Sequence, residues 1–200
     1  GSEMCIRDRY EWVQSLVGSV LVVVAIFTFV IRMMGVDGHS MLNTLQHGDR
    51  LLVVNSMLYH DYKYGDIVIL RKNGVFDDDP IVKRVIAVEG QTVDIDFAEG
   101  IVYVDGEALE EDYIREPTYT AEGTEFPLTV PEGSIFVMGD NRNGSSDSRD
   151  YRLGTVDTRY VIGKAAFLIF PGPDYETEKR DFKRIGVILA LIHISEPTRH

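Results

Sequence analysis

Ser40 sits in Gly38-His39-Ser40-Met41-Leu42-Asn43-Thr44-Leu45, a small polar cluster seven residues past a long apolar run and just ahead of Gly48-Asp49 and a strand-like stretch. A serine hydroxyl is a weak nucleophile until a base takes its proton. His39 is adjacent, but neighbours in an extended chain point to opposite faces, which places it badly for that work. His47 and His60 carry no local partner pattern. A Ser-His-Asp triad draws its members from anywhere in a chain, so spacing alone leaves it open. Lysine is the other base. Lys83 lies in IVKRVIAV (81–88), an apolar run where a charged amine is costly to bury. Facing a core, its pKa would fall by desolvation, and the neutral amine could accept a proton. Arg84 follows on the opposite face, and the strand alone leaves open which of the two points inward.

A third polar stretch is Gly139 to Arg152, GDNRNGSSDSRDYR, fourteen residues with almost no aliphatic side chain. Gly, Asp, Asn and Ser at this density build a tight loop whose side chains hydrogen-bond the backbone. Within it Asp147 and Arg149 could pair, and Ser145, Ser146 and Ser148 offer hydroxyls that could orient an amine. A solvated polar loop is the plainer interpretation, yet loops between strands are also common homes for reacting groups.

The elements that must position these residues are mostly strands. RLLVVN (50–55), DIVIL (66–70), IVKRVIAV (81–88), TVDIDF (92–97), IVYVDG (101–106), PLTV (127–130), SIFVMG (134–139) and KAAFLIF (164–170) are short apolar runs separated by Gly, Pro and Asp turn signals. Asp105-Gly106 marks a hairpin turn. Short helical pieces are expected around 42–46 and 58–59, and FDDDP (76–80) is an acidic loop. The segment from about 90 to 130 is more acidic, has its own hairpin and suits a small subdomain inserted in the main sheet. The fold class is mainly β, an antiparallel sheet or barrel-like domain.

Ahead of it, Trp12 to Ile31 gives 20 uncharged residues, enough to cross a bilayer as a helix. A buried core helix would show a polar stripe, and this run is apolar nearly all round. A signal peptide would be shorter and end at small residues, whereas Ile31-Arg32-Met33-Met34 closes this one. Arg7 and Arg9 against Arg32 weakly favour the N-terminus inside. GSEMCIRDR at the start and LIHISEPTRH at the end match no pattern of the rest and resemble flanking sequence, so Cys5, His193 and His200 carry no weight and Arg7 and Arg9 are discounted for orientation. The expected organisation is a tail (1–11), an anchor (12–31), a catalytic domain (35–188) and a closing tail (189–200). With 20 Lys+Arg against 32 Asp+Glu, net −12, the chain lacks the basic patch that nucleic acid demands. Its single cysteine excludes an internal disulfide.

Taken in order, the anchor, Gly38 to Leu45 with Gly48-Asp49, Gly65-Asp66-Ile67-Val68, Val82-Lys83-Arg84-Val85, and Gly139-Asp140-Asn141-Arg142 with Ser145 and Asp147-Ser148-Arg149 resemble bacterial type I signal peptidases of the single-anchor branch. The resemblance covers roughly residues 12–188. It implies Ser40 as nucleophile, Lys83 as general base and Ser145 orienting the amine. It further implies Asp147 and Arg149 as a supporting ion pair, Met41, Ile81 and Val82 lining the substrate pocket, and the Ser40 backbone N–H as an oxyanion donor. No metal or cofactor is implied. Implied partners are signal-peptide-bearing preproteins and the lipid bilayer, with the catalytic domain of a monomer on the extracytoplasmic side of the cell membrane. Two departures stand out. Asn43 replaces the family's usual proline, which would stiffen the turn, and Gly38 stands where some members carry a serine that adds an oxyanion-hole hydroxyl; Asn143-Gly144 also replaces the common Asp-Asn. Rival expectations are a self-cleaving repressor, opposed by the anchor and acidic charge, and a degenerate anchored module that binds peptides.

Overall fold

The computed structural model describes residues 2–72, 74–75 and 79–188. Most of the acidic stretch at 76–80 lies outside these residues, as does the closing segment with His193 and His200. Helix α1 runs Ser2–Ala25 and continues as a wider helical turn over Ile26–Val30. Its Tyr10–Val30 portion is 21 residues with mean hydropathy 2.4, and none of it is buried against the protein. A core helix would be covered, so this one is long, apolar and uncovered. The strand β1 (Ile31–Gly35) follows with no loop between. Ile31, expected as the anchor's last residue, therefore opens the sheet.

The strands β2 (Arg50–Asn55), β3 (Ile67–Leu70), β4 (Ile81–Val88), β9 (Ser134–Met138), β10 (Val156–Asp157) and β11 (Val161–Phe170) complete the main sheet, in the order β1-β2-β11-β3-β4-β9-β10. A short β12 (Gly186–Val187) adds to β11. All the pairings are antiparallel, and register shifts in β11 and between Val85 and Ala87 of β4 bend the sheet. A second sheet, β7-β6-β5-β8, is made of β5 (Thr92–Asp96), β6 (Ile101–Val104), β7 (Glu107–Ala108) and β8 (Leu128–Thr129). It occupies the segment expected as an insertion. The turn Asp105-Gly106 has both residues at positive φ, 54° and 83°, joining β6 to β7 as its sequence requires.

Side chains alternate across these strands and so feed three cores. Ile67 and Ile69 of β3 join Met41, Leu45 and Leu51, whereas Val68 and Leu70 join Val85, Ile135 and Val137. Ile86, Phe136 and Met138 cross to the small sheet and pack on Val93 and Val102. The expected helical pieces are turns. One i→i+4 bond forms, Leu45 N–H to Met41 C=O at 2.8 Å. The next amide, Gln46 N–H, goes instead to the Asp49 carboxylate at 2.8 Å, and that ends the helix. At 58–59 only Leu58 N–H to Asn55 C=O closes. Among the described residues two peptide bonds are cis, Leu42–Asn43 and Phe126–Pro127.

Candidate active site

The sequence left open whether Lys83 or Arg84 faces inward. Both do: Lys83 is 3% exposed and Arg84 1%. Both faces of β4 are covered, one by the core that holds Val85 with Ile135 and Val137, the other by the core that holds Ile86 with Phe136 and Val93. The two cations are treated differently. Arg84 forks onto Asp140, with Nε to Oδ1 at 2.8 Å and Nη2 to Oδ2 at 2.7 Å. It also donates to the Gly65 carbonyl at 3.0 Å and lies 4.0 Å over the Tyr113 ring. It stays a fully satisfied charge. The Lys83 amine has no such fork. Burial is the largest influence and pulls its pKa down to about 8, opposed by the Asp147 carboxylate and assisted by the Arg149 guanidinium.

Asp147 and Arg149 belong to the polar loop after β9, and both side chains are wholly buried. Arg149 donates to Asp147 through Nε (2.8 Å) and Nη2 (2.8 Å), and its remaining N–H groups reach the carbonyls of Thr120, Arg142 and Ser145. Asp147 also accepts from the Ser145 hydroxyl at 3.0 Å and from Gly139 N–H at 2.9 Å. The expected ion pair thus exists, and its carboxylate fixes the Ser145 hydroxyl. The loop is tied to β9 by Ser148, which accepts from Val137 N–H at 3.0 Å and donates its own N–H to Val137 C=O at 3.0 Å.

The same loop holds the Ser40 turn. Asn141 N–H donates to the Ser40 carbonyl at 3.0 Å, and the Asn141 side chain donates to the His39 carbonyl at 3.1 Å. The Thr44 hydroxyl donates to Asp140. At Gly139 the serine turn and Ser145 converge. A Cβ there would stand 2.5 Å from the Ser40 carbonyl oxygen and nearer still to the Ser145 hydroxyl. Only glycine permits that approach. Ser40, Ser145 and the Asp147–Arg149 pair therefore share one locus, and Lys83 feels the charge of that pair. Among the described residues, no hydrogen bond joins Lys83 to the Ser40 or Ser145 hydroxyl.

The remaining expected residues separate. Met41 is 1% exposed and packs with Leu45 and Ile67, and half-buried Val82 packs against that same core, whereas half-buried Ile81 packs on the core of Val68 and Val85. The edge of Ile81–Lys83 away from β3 has no strand on it among the described residues, because β9 pairs with β4 only from Arg84 onward. His39 stacks edge-on against Tyr175, with centroids 4.9 Å apart, and His47 Nδ1 lies 3.2 Å from Asp37. Neither histidine hydrogen-bonds Ser40. No group of three or more metal-ligating side chains occurs among the described residues.

Three contributors went unseen in the sequence. Asn143 accepts from Tyr119 N–H and Thr120 N–H and donates to the Pro117 carbonyl, clamping 117–120 onto the loop. Arg184 forks onto Asp49 and donates to the Thr44 carbonyl, bracing the serine turn from the far end of the chain. Glu122 has a buried Oε2 with no hydrogen-bond partner, and burial first, then Asp147, raises its pKa. Its charge also reaches Lys83. Only the Asn143 clamp had a local signal, the Asn-Gly turn dipeptide.

An antiparallel β domain with a buried lysine, a braced serine turn and an uncovered apolar helix defines a class that the comparisons identify. The model of the family described as signal peptidase, peptidase S26 matches residues 9–170. The chain is 37% identical over 173 residues to signal peptidase I of Bacillus licheniformis, covering 82% of this chain and 90% of that one. It is 42% identical over 144 residues to probable signal peptidase I-1 of Synechocystis sp., covering 68% and 69%. With signal peptidase I T of Bacillus subtilis the identity is 36% over 169 residues, covering 80% and 85%. The chain belongs to the signal peptidase, peptidase S26 family.

Proposed function

We propose that this protein is a membrane-bound serine endopeptidase that removes signal peptides from exported preproteins at Ala-x-Ala-type sites, using Ser40 and Lys83 as a dyad. The observation that carries it is the fully buried Lys83, its pKa lowered to about 8, beside the loop that braces the Ser40 turn. An amine tuned near neutrality is a competent general base. Lys83 takes the Ser40 proton as Oγ attacks the scissile carbonyl. The oxyanion accepts from the Ser40 N–H, and collapse expels the new amine with the proton returned by Lys83. Water, deprotonated by the same lysine, then attacks the acyl-enzyme and frees Ser40. The hydrogen bond between base and nucleophile, not made in the structure without ligand, forms as substrate enters.

Substrate adds as an extended strand along the open edge at Ile81–Lys83, its backbone paired with β4. Partly exposed Ile81 and Val82 form shallow pockets that favour small side chains. The Tyr10–Val30 helix anchors a monomer in the bacterial cell membrane, and the β domain faces the extracytoplasmic side, where the cut bond emerges. The test is cleavage, in detergent, of a preprotein bearing an Ala-x-Ala site, with the new N-terminus sequenced. Wild type should cut after the second alanine and Ser40→Ala should not. Cutting elsewhere, or by Ser40→Ala, contradicts the proposal.

A further inference from the structure

A cleft of about 500 Å³ opens where the apolar helix meets the sheet. It is lined by Arg32, Arg71 and Arg159 together with Tyr160, Met33 and Met57, and no Asp or Glu lines it among the described residues. In a chain of net charge −12 such a concentration of arginine is out of character. Arg159 is held by Asp157 at 2.7 Å. Among the described residues no carboxylate pairs with Arg32 or Arg71. The cleft is separate from the serine site: its walls are β1, the end of β2, the start of β11 and the residue after β3, whereas Lys83 and the 139–150 loop lie on and beyond β4.

Its depth in a bilayer follows from chain geometry. The apolar span ends at Val30 and Arg32 comes two residues later in extended chain, roughly 7 Å further on. The polar headgroup layer beyond the hydrocarbon is itself about 5–7 Å thick. Arg32 therefore reaches phosphate level. Guanidinium groups fork onto phosphate oxygens, and a partly dehydrated interface strengthens such pairs. Met33 and Met57 are 64% and 72% exposed at the rim, apolar surface that suits a glyceride backbone and the first methylenes of its chains.

We propose that this cleft binds the phosphodiester headgroup of an anionic phospholipid, with Arg32 and Arg71 as the forks and Tyr160 beside them. The inference rests on the membrane placement proposed above. Bound lipid would pin the sheet against the bilayer and fix the height of the active site over it.

The test uses the full-length protein in detergent and native mass spectrometry. Phosphatidylglycerol, phosphatidylcholine or inorganic phosphate is added in turn. One phosphatidylglycerol should be retained, phosphatidylcholine should not, and inorganic phosphate should not displace the lipid. The Arg32→Gln/Arg71→Gln protein should retain roughly a hundredfold less, about tenfold for each charge-assisted fork lost, and Arg71→Lys should fall between. Equal retention of the two lipids, or retention undiminished in the double variant, overturns the proposal. Full displacement by inorganic phosphate assigns the cleft to a soluble anion and overturns the lipid source. Both arginines lie outside the serine site, so cleavage of the preprotein in lipid-free detergent should be unchanged and certifies folding. Loss of cleavage in wild type as well would count against the peptidase proposal, while lipid retention still decides the cleft. Flotation with phosphatidylcholine vesicles separately tests the anchor.

Discussion

The pH dependence of cleavage follows from one buried group. With Lys83 at about 8 rather than the ordinary 10.5, roughly 9% of the amine is neutral at pH 7, against about 0.03% for an unburied lysine. Burial thus supplies about a 300-fold larger population of base at neutral pH. If kcat/KM follows the neutral amine, it rises about tenfold from pH 6 to 7, about fivefold from 7 to 8, and levels off above 9. The sign is fixed: activity is lost as pH falls through 8, because the protonated amine cannot accept the Ser40 proton. The assay is initial-rate cleavage of a preprotein at low substrate, in detergent, across pH 6 to 10. A separate stability check at each pH removes unfolding from the profile. An acid limb centred near 6.5 would refute the lysine assignment and point to a histidine, His39, His47 or His60. A limb near 10.5 would mean that Lys83 titrates in water and that the β4 packing described above is wrong.

Other perturbations follow from the same geometry. Burying a lysine whose pKa falls from 10.5 to about 8 costs stability of order 3 kcal/mol at pH 7. Between pH 8 and 10.5 the unfolded chain holds the proton and the native state does not, so that cost disappears as pH rises. Lys83→Met should therefore raise the thermal midpoint at pH 7, by a margin that shrinks toward pH 10.5. Gly139→Ala, by driving a methyl into the Ser145 hydroxyl and the Ser40 carbonyl, should lower kcat by roughly tenfold or more with a smaller change in KM. Near-normal kcat would show that the convergence is not needed. Glu122→Gln removes a charge that holds the Lys83 proton on, so the acid limb of kcat/KM should move to lower pH. An unmoved or raised limb would take Glu122 out of the site.

How far the sequence disclosed this arrangement depends on how local each signal was. The strand segments 50–55 and 81–88 were legible because each is an apolar run bounded by turn residues, and the observed β2 and β4 match them to the residue. The Asp147–Arg149 pair was legible because its members lie two apart. What failed was anything that required knowing which faces are covered. Lys83 and Arg84 read as alternatives because an isolated strand suggests one inner face, whereas β4 has a core packed on each of its faces. β1 was hidden because Ile31 to Gly35 is short, carries Arg32 and follows the apolar run of the helix with no turn residue between them. Arg184 braces Asp49 across 135 residues of sequence, and Glu122 reaches Lys83 from a loop with no motif of its own. Such partners emerge only once the sheet has assembled. The core-helix alternative for Tyr10–Val30 was likewise settled only by the assembled fold, in which none of that span is buried.

The most direct measurement places wild type beside Lys83→Ala on one preprotein with an Ala-x-Ala site, both proteins shown folded by circular dichroism. The dyad requires cleavage at that site by wild type and none above background by Lys83→Ala. If the folded Lys83→Ala protein kept most of the activity, the buried lysine would not be the base, and the proposed mechanism would fall.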